Sequence, residues 1–410
     1  MPWQLRMILT ITPFLFIAEI YLLFRIRATL KNIFNEKIFL SKLAVFVLLL
    51  ILNILPICLV LFFLINRLNH FFLSEPNLSW LDFLINFPFW WALILTFEVL
   101  PYFLSTDIIS FLFNRFKINT GKLFPIVRIT IFVFFLFFVT IRTISDTFFV
   151  KNEPSEVFVK NLPMPLENFN ITLIGDIHFD RYLTQFKSNQ LKKRLLQQPV
   201  NLLLFSGDLV SRGDRFIQKA LDFMCDLDPE AFRIACMGDH DFWTNPERIG
   251  TELKKCGWKY LQNQHAVLEH QGVKILVTGL TQIYSERISE KELTNLLKTS
   301  PEADIKLLLT HQPSKNIINI ASRYHYHLIF AGHTHGGQIV FKPFGLPLTP
   351  SKFENPVFTG IQNYQNLKIV ITNGVGLTLA PVRYRAPAEI KSIILKSYPD
   401  HNLSNNIVLP

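Results

Sequence analysis

Residues 237–243 read MGDHDFW, with Asp239 and Asp241 on either side of His240 after a short apolar run. Two carboxylates that close repel each other unless positive charge sits among them. Four other stretches have the same build. Residues 171–174 run into Gly175-Asp176-Ile177-His178, residues 200–205 into Ser206-Gly207-Asp208, and residues 305–309 into Thr310-His311. Residues 328–330 run into Ala331-Gly332-His333-Thr334-His335-Gly336-Gly337. A single Asp after a strand is ordinarily a turn or cap residue, and a single His is ordinarily structural. Five such endings in one chain argue instead for one shared centre. Of 11 histidines, five (His178, His240, His311, His333 and His335) stand at these ends, while His70, His265, His270, His325, His327 and His401 do not and read as structural or exposed. Mixed imidazole and carboxylate ligands suit Zn, Mn, Fe, Co or Ni better than Ca or Mg. In an extended chain residues i and i+2 point the same way, so Asp176 with His178, and His333 with His335, can each reach one centre.

Short β-branched runs alternating with amphipathic stretches must position these side chains. Helices are expected at 184–198, 216–226, 246–256, 290–297 and 313–322. Runs and helices in alternation argue an α/β fold, and in such folds sites form at the carboxyl ends of strands.

The first 150 residues are different. The chain has 410 residues, half of them hydrophobic, with 40 phenylalanines and a formal net charge of +10. The apolar load is concentrated in residues 8–24, 43–65, 83–104 and 123–141, each close to the ~20 residues a membrane-spanning helix needs. Run 8–24 is the weakest, with Pro13 and Glu19 inside it; run 43–65 is the clearest. Glu19 and Glu98 are expected near an interface or facing the helix bundle. A basic balance beside so much apolar sequence points to a lipid bilayer as partner. No aromatic-rich basic module is visible, so nucleic acid is not an expected partner.

Lys and Arg favour the cytoplasmic side. The first loop holds Arg25, Arg27, Lys31, Lys37 and Lys42, the second only Arg67, and the third Arg115, Lys117 and Lys122. The first and third loops are therefore expected inside, with everything after residue 150 outside the cytoplasm. Residues 102–116 are expected as an interfacial helix; an extra crossing there would reverse the orientation. Cys225, Cys236 and Cys256 form no CxxC pair and leave the compartment open. The expected domains are 1–150, a transmembrane helical region of about four helices; 151–398, the α/β domain; and 399–410, a flexible tail.

The order DxH, GD, GxHD, H, GHxH over residues 171–395 resembles the calcineurin-like metallophosphoesterases. The stretch NGVGLTLAPVRYRAPAEI (373–390) is similar to a subgroup that often carries an N-terminal membrane anchor. The resemblance implies a four-layer αββα sandwich with a two-metal site at the strand ends. Two divalent metal ions (or iron) per chain are implied, Mn, Zn or Fe foremost. By position, Asp176, His178 and His335 would hold the first, Asp239, His311 and His333 the second, and Asp208 would bridge them. His240 would be the catalytic histidine and Asp241 would orient its ring. The implied activity is hydrolysis of a phosphomono- or phosphodiester, from lipid or cell envelope, by metal-activated water. Two alternatives stand beside it: a hydrolase of the UDP-2,3-diacylglucosamine pyrophosphatase type, whose nucleotide substrate is cytoplasmic, and a catalytically impaired metal-binding signalling protein.

The chain departs from the family at one place. The family usually has Asn at position 239, and Asp239 adds a negative charge. That change reads either as a tolerated near-isostere or as a retuned or disabled site. Arg181, Arg212 and Arg215 are candidates for substrate phosphate or for plain loop charge. KSNQLKKR (187–194) reads as a solvated helix face or a headgroup contact. FGLPLTPSKFENP (344–356) lies near enough in sequence to shape a substrate pocket.

Overall fold

A computed structural model describes residues 3–34, 42–65, 78–152, 154–197, 199–227, 230–355 and 357–398. Lys37, Arg67, His70, His401 and the expected tail 399–410 lie outside these. The chain forms two compact units. One comprises Met1–Thr147, Ile339–Thr349 and Leu379–Arg385; the other comprises Phe148–Gln338, Pro350–Thr378 and Ala386–Pro410. Two segments expected in the α/β domain thus belong to the helical unit.

The helical unit contains α1 (Trp3–Phe34), α2 (Lys42–Leu52), α3 (Ile54–Leu64), α4 (Phe87–Arg115) and α5 (Leu123–Phe148). Among the described residues three helices are long and apolar enough to cross a membrane, or four if the bent pair α2–α3 is one span. The weakest expected run is an unbroken helix of 32 residues, Pro13 included. The clearest run is broken: α2 and α3 meet at 52° around Asn53. Pro56, in the first turn of α3, lacks the N–H that would bond the carbonyl of Leu52, and its ring crowds that carbonyl. Asn53 is buried and donates to Leu49 O (3.0 Å) and to Glu19 Oε2 (2.5 Å). Residues 102–116 form no separate interfacial helix, because α4 runs continuously to Arg115.

Charges gather at one end of this unit. Asp107 accepts from Tyr21 Oη (2.7 Å), Arg25 Nε (2.6 Å) and Arg128 Nη2 (2.5 Å), and Lys122 Nζ reaches Ile33 O at 3.2 Å. The C-terminal ends of α1 and α4 and the N-terminal end of α5 therefore lie together, so the first and third basic loops share a side. Glu98 faces inward and pairs with Arg385 (Oε2–Nη2 3.1 Å), while Asp146 pairs with Arg142 (2.9 Å) and accepts the Arg385 N–H (2.6 Å). The RYR of residues 383–385 is thus the anchor of its segment among the helices, and Tyr384 packs at 6.4 Å from the Phe138 ring.

The second unit has thirteen strands among its described residues: β1 (Lys151–Asn152), β2 (Ser155–Val159), β3 (Asn170–Ile174), β4 (Leu202–Phe205), β5 (Phe232–Ala235), β6 (Lys259–Tyr260), β7 (Gln264–His270), β8 (Val273–Gly279), β9 (Ile305–Thr310), β10 (Leu328–Ala331), β11 (Gly360–Tyr364), β12 (Leu367–Ile371) and β13 (Glu389–Ser397). One sheet runs β1-β13-β3-β4-β5-β6, with β2 also on β13; the other runs β11-β12-β10-β9-β8-β7. β3 to β6 are parallel, as are β12, β10, β9 and β8. The inner faces share one apolar core, in which Ile171, Leu173, Leu204 and Ile234 of the first sheet meet Val277, Leu307, Leu309 and Phe330 of the second.

Helices cover both outer faces. On the first sheet lie α6 (Gln185–Leu196), α7 (Ile217–Cys225) and, beyond the short α8 (Asp239–Thr244), α9 (Pro246–Lys255); on the second lie α10 (Glu290–Lys298) and α11 (Lys315–Arg323). This is the four-layer αββα sandwich. Four of these helices start at a side-chain cap: Thr184 for α6, Asn245 with Pro246 for α9, Ser314 for α11, and for α10 a Ser289–Glu292 capping box; α7 starts after Phe216 without one. A disulfide joins Cys225, the last residue of α7, to Cys256, just after α9.

Candidate metal centre

The loops that follow β3, β4, β5, β9 and β10 converge. Strand register starts this: Ile174, Phe205 and Ala235 are paired in adjacent parallel strands, and Thr310 pairs with Ala331. Beyond β3 the ladder continues irregularly, with Asp176 N–H on Gly207 O (2.9 Å) and His178 N–H on Asp208 O (3.1 Å). Asp176, His178, Asp208, His333 and His335 all have positive φ, between 47° and 71°. Such backbone costs a non-glycine residue free energy and persists where the surroundings impose it. Gly207 (φ 95°) lets the β4 loop pass the β5 loop, since a Cβ there would meet Gly238 N at 2.4 Å.

Two ligand clusters result. Asp176, His178 and His335 form one; Asp239, His311 and His333 form the other. The extended-chain argument therefore fails for His333 and His335. Their left-handed backbone sends them to different clusters, the split that the family resemblance implies. Within the first cluster His178 Nε2 lies 3.1 Å from His335 Nε2, and His335 Nε2 lies 3.7 Å from Asp176 Oδ1. Within the second, Asp239 Oδ2 lies 3.2 Å from His311 Nε2 and 3.1 Å from His333 Nδ1. Ligands held ~2.0–2.2 Å from one ion stand roughly 3.0 Å apart at right angles and about 3.4 Å apart in a tetrahedron, so these spacings fit a cation. Asp208 Oδ2 lies 3.4 Å from His178 Nε2 and 3.4 Å from His311 Nε2, one oxygen equidistant from a ligand atom of each cluster.

Surrounding bonds aim the rings. His311 Nδ1 donates to Ser206 O (2.8 Å), which turns the buried Nε2 toward Asp208 and Asp239, where a cation would take it as a ligand. Burial pushes His178 down to about 4, so its imidazole is neutral. Burial opposes charge on Asp239, yet hydrogen bonds from His311 and His333 hold its carboxyl below the usual range. Burial also opposes charge on His311, but Asp208 and Asp239 together raise it well above an ordinary histidine.

His240 stands at the edge, its ring centroid 4.7 Å from that of His178 and its N–H on Asp208 Oδ1 at 2.8 Å. Its expected orienting partner is corrected. Asp241 does not reach the ring; it accepts the N–H groups of Asp208 (2.8 Å), Leu209 (2.8 Å) and Gly238 (3.1 Å). The ring Nδ1 bonds instead to the Ser211 carbonyl. Asp241 is three residues into the turn that opens α8, and from there the loop N–H groups of its own strand and of β4 are nearer than its neighbour's side chain.

Other candidates are placed as follows. Arg181 is buried, and its Nη2 donates to the Tyr182 hydroxyl at 2.7 Å; Arg212 and Arg215 are exposed. The basic run 187–194 lies on α6 with Lys187 buried and Lys192 paired to Asp226 at 3.0 Å. His265 and His327 are held structurally, His265 by Thr278 Oγ1 (2.8 Å) and His327 by the Lys306 N–H (3.0 Å).

Four participants were not foreseen. Asp180 accepts the N–H of Tyr182 (2.7 Å) and the Ser211 hydroxyl (2.7 Å), tying the loops after β3 and β4. Gln312 donates to Asp239 Oδ2 (2.7 Å). Tyr284 gives its N–H to Asp239 Oδ1 (2.6 Å), and its ring lies parallel to Trp243 with centroids 6.5 Å apart. Glu354 accepts from Tyr284 Oη and lies 3.4 Å from His333 Nε2. Asp180 and Gln312 adjoin motif residues and so were within reach of a sequence argument. Tyr284 lies far from any motif and carries no such signal, whereas Glu354 falls within the stretch 344–356 marked as near enough in sequence to shape a substrate pocket.

Fold and clusters together define an α/β-sandwich protein with a pair of candidate metal-ligand clusters at its strand ends. Residues 169–337 match the family model described as calcineurin-like phosphoesterase, so that stretch of the chain is similar to that family. It is 23% identical over 255 residues to an uncharacterized metallophosphoesterase of Aquifex aeolicus, covering 61% of this chain and 94% of that one. A zebrafish (Danio rerio) transmembrane protein with metallophosphoesterase domain is 25% identical over 59% of this chain, which spans 56% of that relative's length. Phosphodiesterase YaeI of Escherichia coli is 27% identical over 51% of this chain and 75% of its own.

Proposed function

We propose that this protein is a membrane-anchored two-metal phosphoesterase that hydrolyses a phosphoester in or near the bilayer. One observation carries the reading: Asp208 Oδ2 is equidistant, at 3.4 Å, from a ligand nitrogen of each cluster, as an oxygen shared by two cations must be. Asp176, His178 and His335 would hold one ion; Asp239, His311 and His333 the other; Asp208 both. Two divalent cations (or iron; Mn, Zn or Fe foremost) supply charge neutralisation for phosphoryl oxygens and a water made acidic near neutral pH. His240, with Nδ1 donating to Ser211 O, has Nε2 left for substrate; the doubly protonated ring would donate a hydrogen bond or proton from it to the phosphoryl or leaving oxygen. Asp241 acts at one remove, by holding the N–H groups of the loop that carries Asp208.

The name of the Escherichia coli relative supports trying diesters first. The apolar helices, their shared basic end and the Cys225–Cys256 disulfide support an integral, multi-pass protein of the cell (inner) membrane with its α/β domain outside the cytoplasm. That placement disfavours a cytoplasmic nucleotide substrate. The impaired-site reading is disfavoured because Asp239 keeps the geometry of its cluster.

The test is turnover of bis-p-nitrophenyl phosphate and p-nitrophenyl phosphate by detergent-solubilised protein, stripped of metal and then given Mn, Zn, Fe, Co or Ni. Metal-dependent turnover that drops at least 100-fold in His240→Ala is expected. No turnover with any metal in the unmodified protein, together with turnover in Asp239→Asn, would put the impaired-site reading first.

A further inference from the structure

The segment Ile339–Thr349 begins four residues after His335, yet it belongs to the helical unit. There it forms a small hairpin. Phe341 and Leu348 exchange backbone hydrogen bonds (3.0 and 2.8 Å), and Val340 N–H bonds Tyr384 O at 2.9 Å. One side lies along α4: the Lys342 N–H meets Glu98 Oε1 at 3.3 Å, the Phe341 ring lies 5.8 Å from Phe97, and the Phe344 ring lies 5.0 Å from Tyr102. Its other side is bare and apolar, with Phe344 65%, Leu346 69% and Leu348 50% exposed. The tip is stiff: Gly345 N–H bonds Lys342 O (3.2 Å) and Leu346 N–H bonds Pro343 O (3.1 Å), and Phe344 holds a φ of 51° that a bulky residue adopts only under constraint.

Three large apolar side chains held rigidly in water would be costly and would invite association. What lies beside them indicates their occupant. Past Tyr102, α4 continues with exposed Leu104, Ile108, Ile109, Phe111 and Leu112 to Arg115, on a helix apolar enough to span a membrane. Tyr102 stands about 20 Å of helix from Arg115. With Arg115 at one edge of a hydrocarbon core ~30 Å thick, the Phe344 ring would reach roughly 10 Å below the other edge. Exposed Lys342, at the base of the tip, is of the type that extends its charge back to headgroups.

We infer that Ile339–Thr349 is a lipid-inserting hairpin, its bare face occupied by the acyl chains of the bilayer that surrounds α4.

One measurement on the full chain tests this. Leu346→Cys carrying an environment-sensitive nitrobenzoxadiazole dye is reconstituted into phosphatidylcholine–phosphatidylglycerol vesicles. Quenching by lipids spin-labelled within the acyl chain, and shielding from aqueous iodide, are expected. Quenching by iodide, or by neither agent as in a contact with a second protein copy, would overturn the insertion.

Discussion

The carboxylate of Asp239 is where this chain differs from the family's usual Asn, and its neighbours tell what the difference does. Oδ1 is fixed by the Tyr284 N–H, and Oδ2 receives Gln312 Nε2 while facing His311 and His333. An Asn would keep the first bond, and Gln312 would turn its amide to offer an oxygen to the new N–H₂. The geometry therefore survives the exchange while one unit of negative charge is removed beside a cation. We expect Asp239→Asn to fold normally and to weaken metal binding at that position by about tenfold or more, read by metal titration of the stripped protein. An unchanged affinity would show that the charge is compensated elsewhere.

His311 gives a second expectation at this scale. Despite burial, Asp208 and Asp239 raise its pKa well above an ordinary histidine, so in metal-stripped protein at pH 7 the ring holds a proton. Nε2 must lose that proton to become a ligand. The sign follows: binding releases a proton, so affinity rises with pH as long as pH stays below the raised pKa, by up to about tenfold per unit for one proton. Calorimetric titration in two buffers of different ionisation enthalpy reads the release directly. Binding heats that do not depend on the buffer would mean that His311 is already neutral.

Among the elements, those that build the sandwich were legible and those that bend the helices were not. Strands β3, β4, β5, β9 and β10 each announce themselves by a short apolar run ending in glycine, Asp or His, because a parallel strand buried on both faces leaves no room for polar residues until its end. The five helical stretches are amphipathic and four of them are capped by a side chain, so their period, and in those four the first residue, mark them. The break at Asn53 was hidden, since Pro56 lies inside an otherwise apolar run, and Pro13 and Pro101 lie in helices that do not break. The left-handed backbone at His333 and His335 was hidden too, and it decides which cluster each joins. The disulfide shows the same limit: Cys225 and Cys256 are 31 residues apart and meet only because α7 and α9 lie side by side. Closing a loop of that length restricts the unfolded chain by roughly 3–4 kcal/mol in the entropic account. Cys225→Ser/Cys256→Ser should therefore lower Tm by several degrees while leaving the metal clusters and turnover intact. A Tm unchanged by the substitution and by reductant would mean that the bond is not formed in the mature protein.

At the scale of the whole chain the question is which side of the membrane the phosphoesterase domain occupies, because that decides which phosphoesters it can meet. Two independent observations agree. The ends of α1 and α4 and the start of α5 meet at Asp107 with Arg25 and Arg128, so the basic loops share a side, and the bias of Lys and Arg supports the proposal that this side is cytoplasmic. The disulfide belongs to an oxidising compartment. With α2 and α3 counted as one broken span the described residues would make four crossings, and a continuous α4 offers no extra crossing at 102–116. Fusions after Pro410 test the placement: alkaline phosphatase should be active and green fluorescent protein dark. The opposite pattern would put the domain in the cytoplasm, predict free thiols at Cys225 and Cys256, and make a nucleotide-linked lipid the first substrate to try. Agreement of the fusions with a bonded Cys225–Cys256 pair would instead confine the search to phosphoesters of the outer leaflet and the space beyond it.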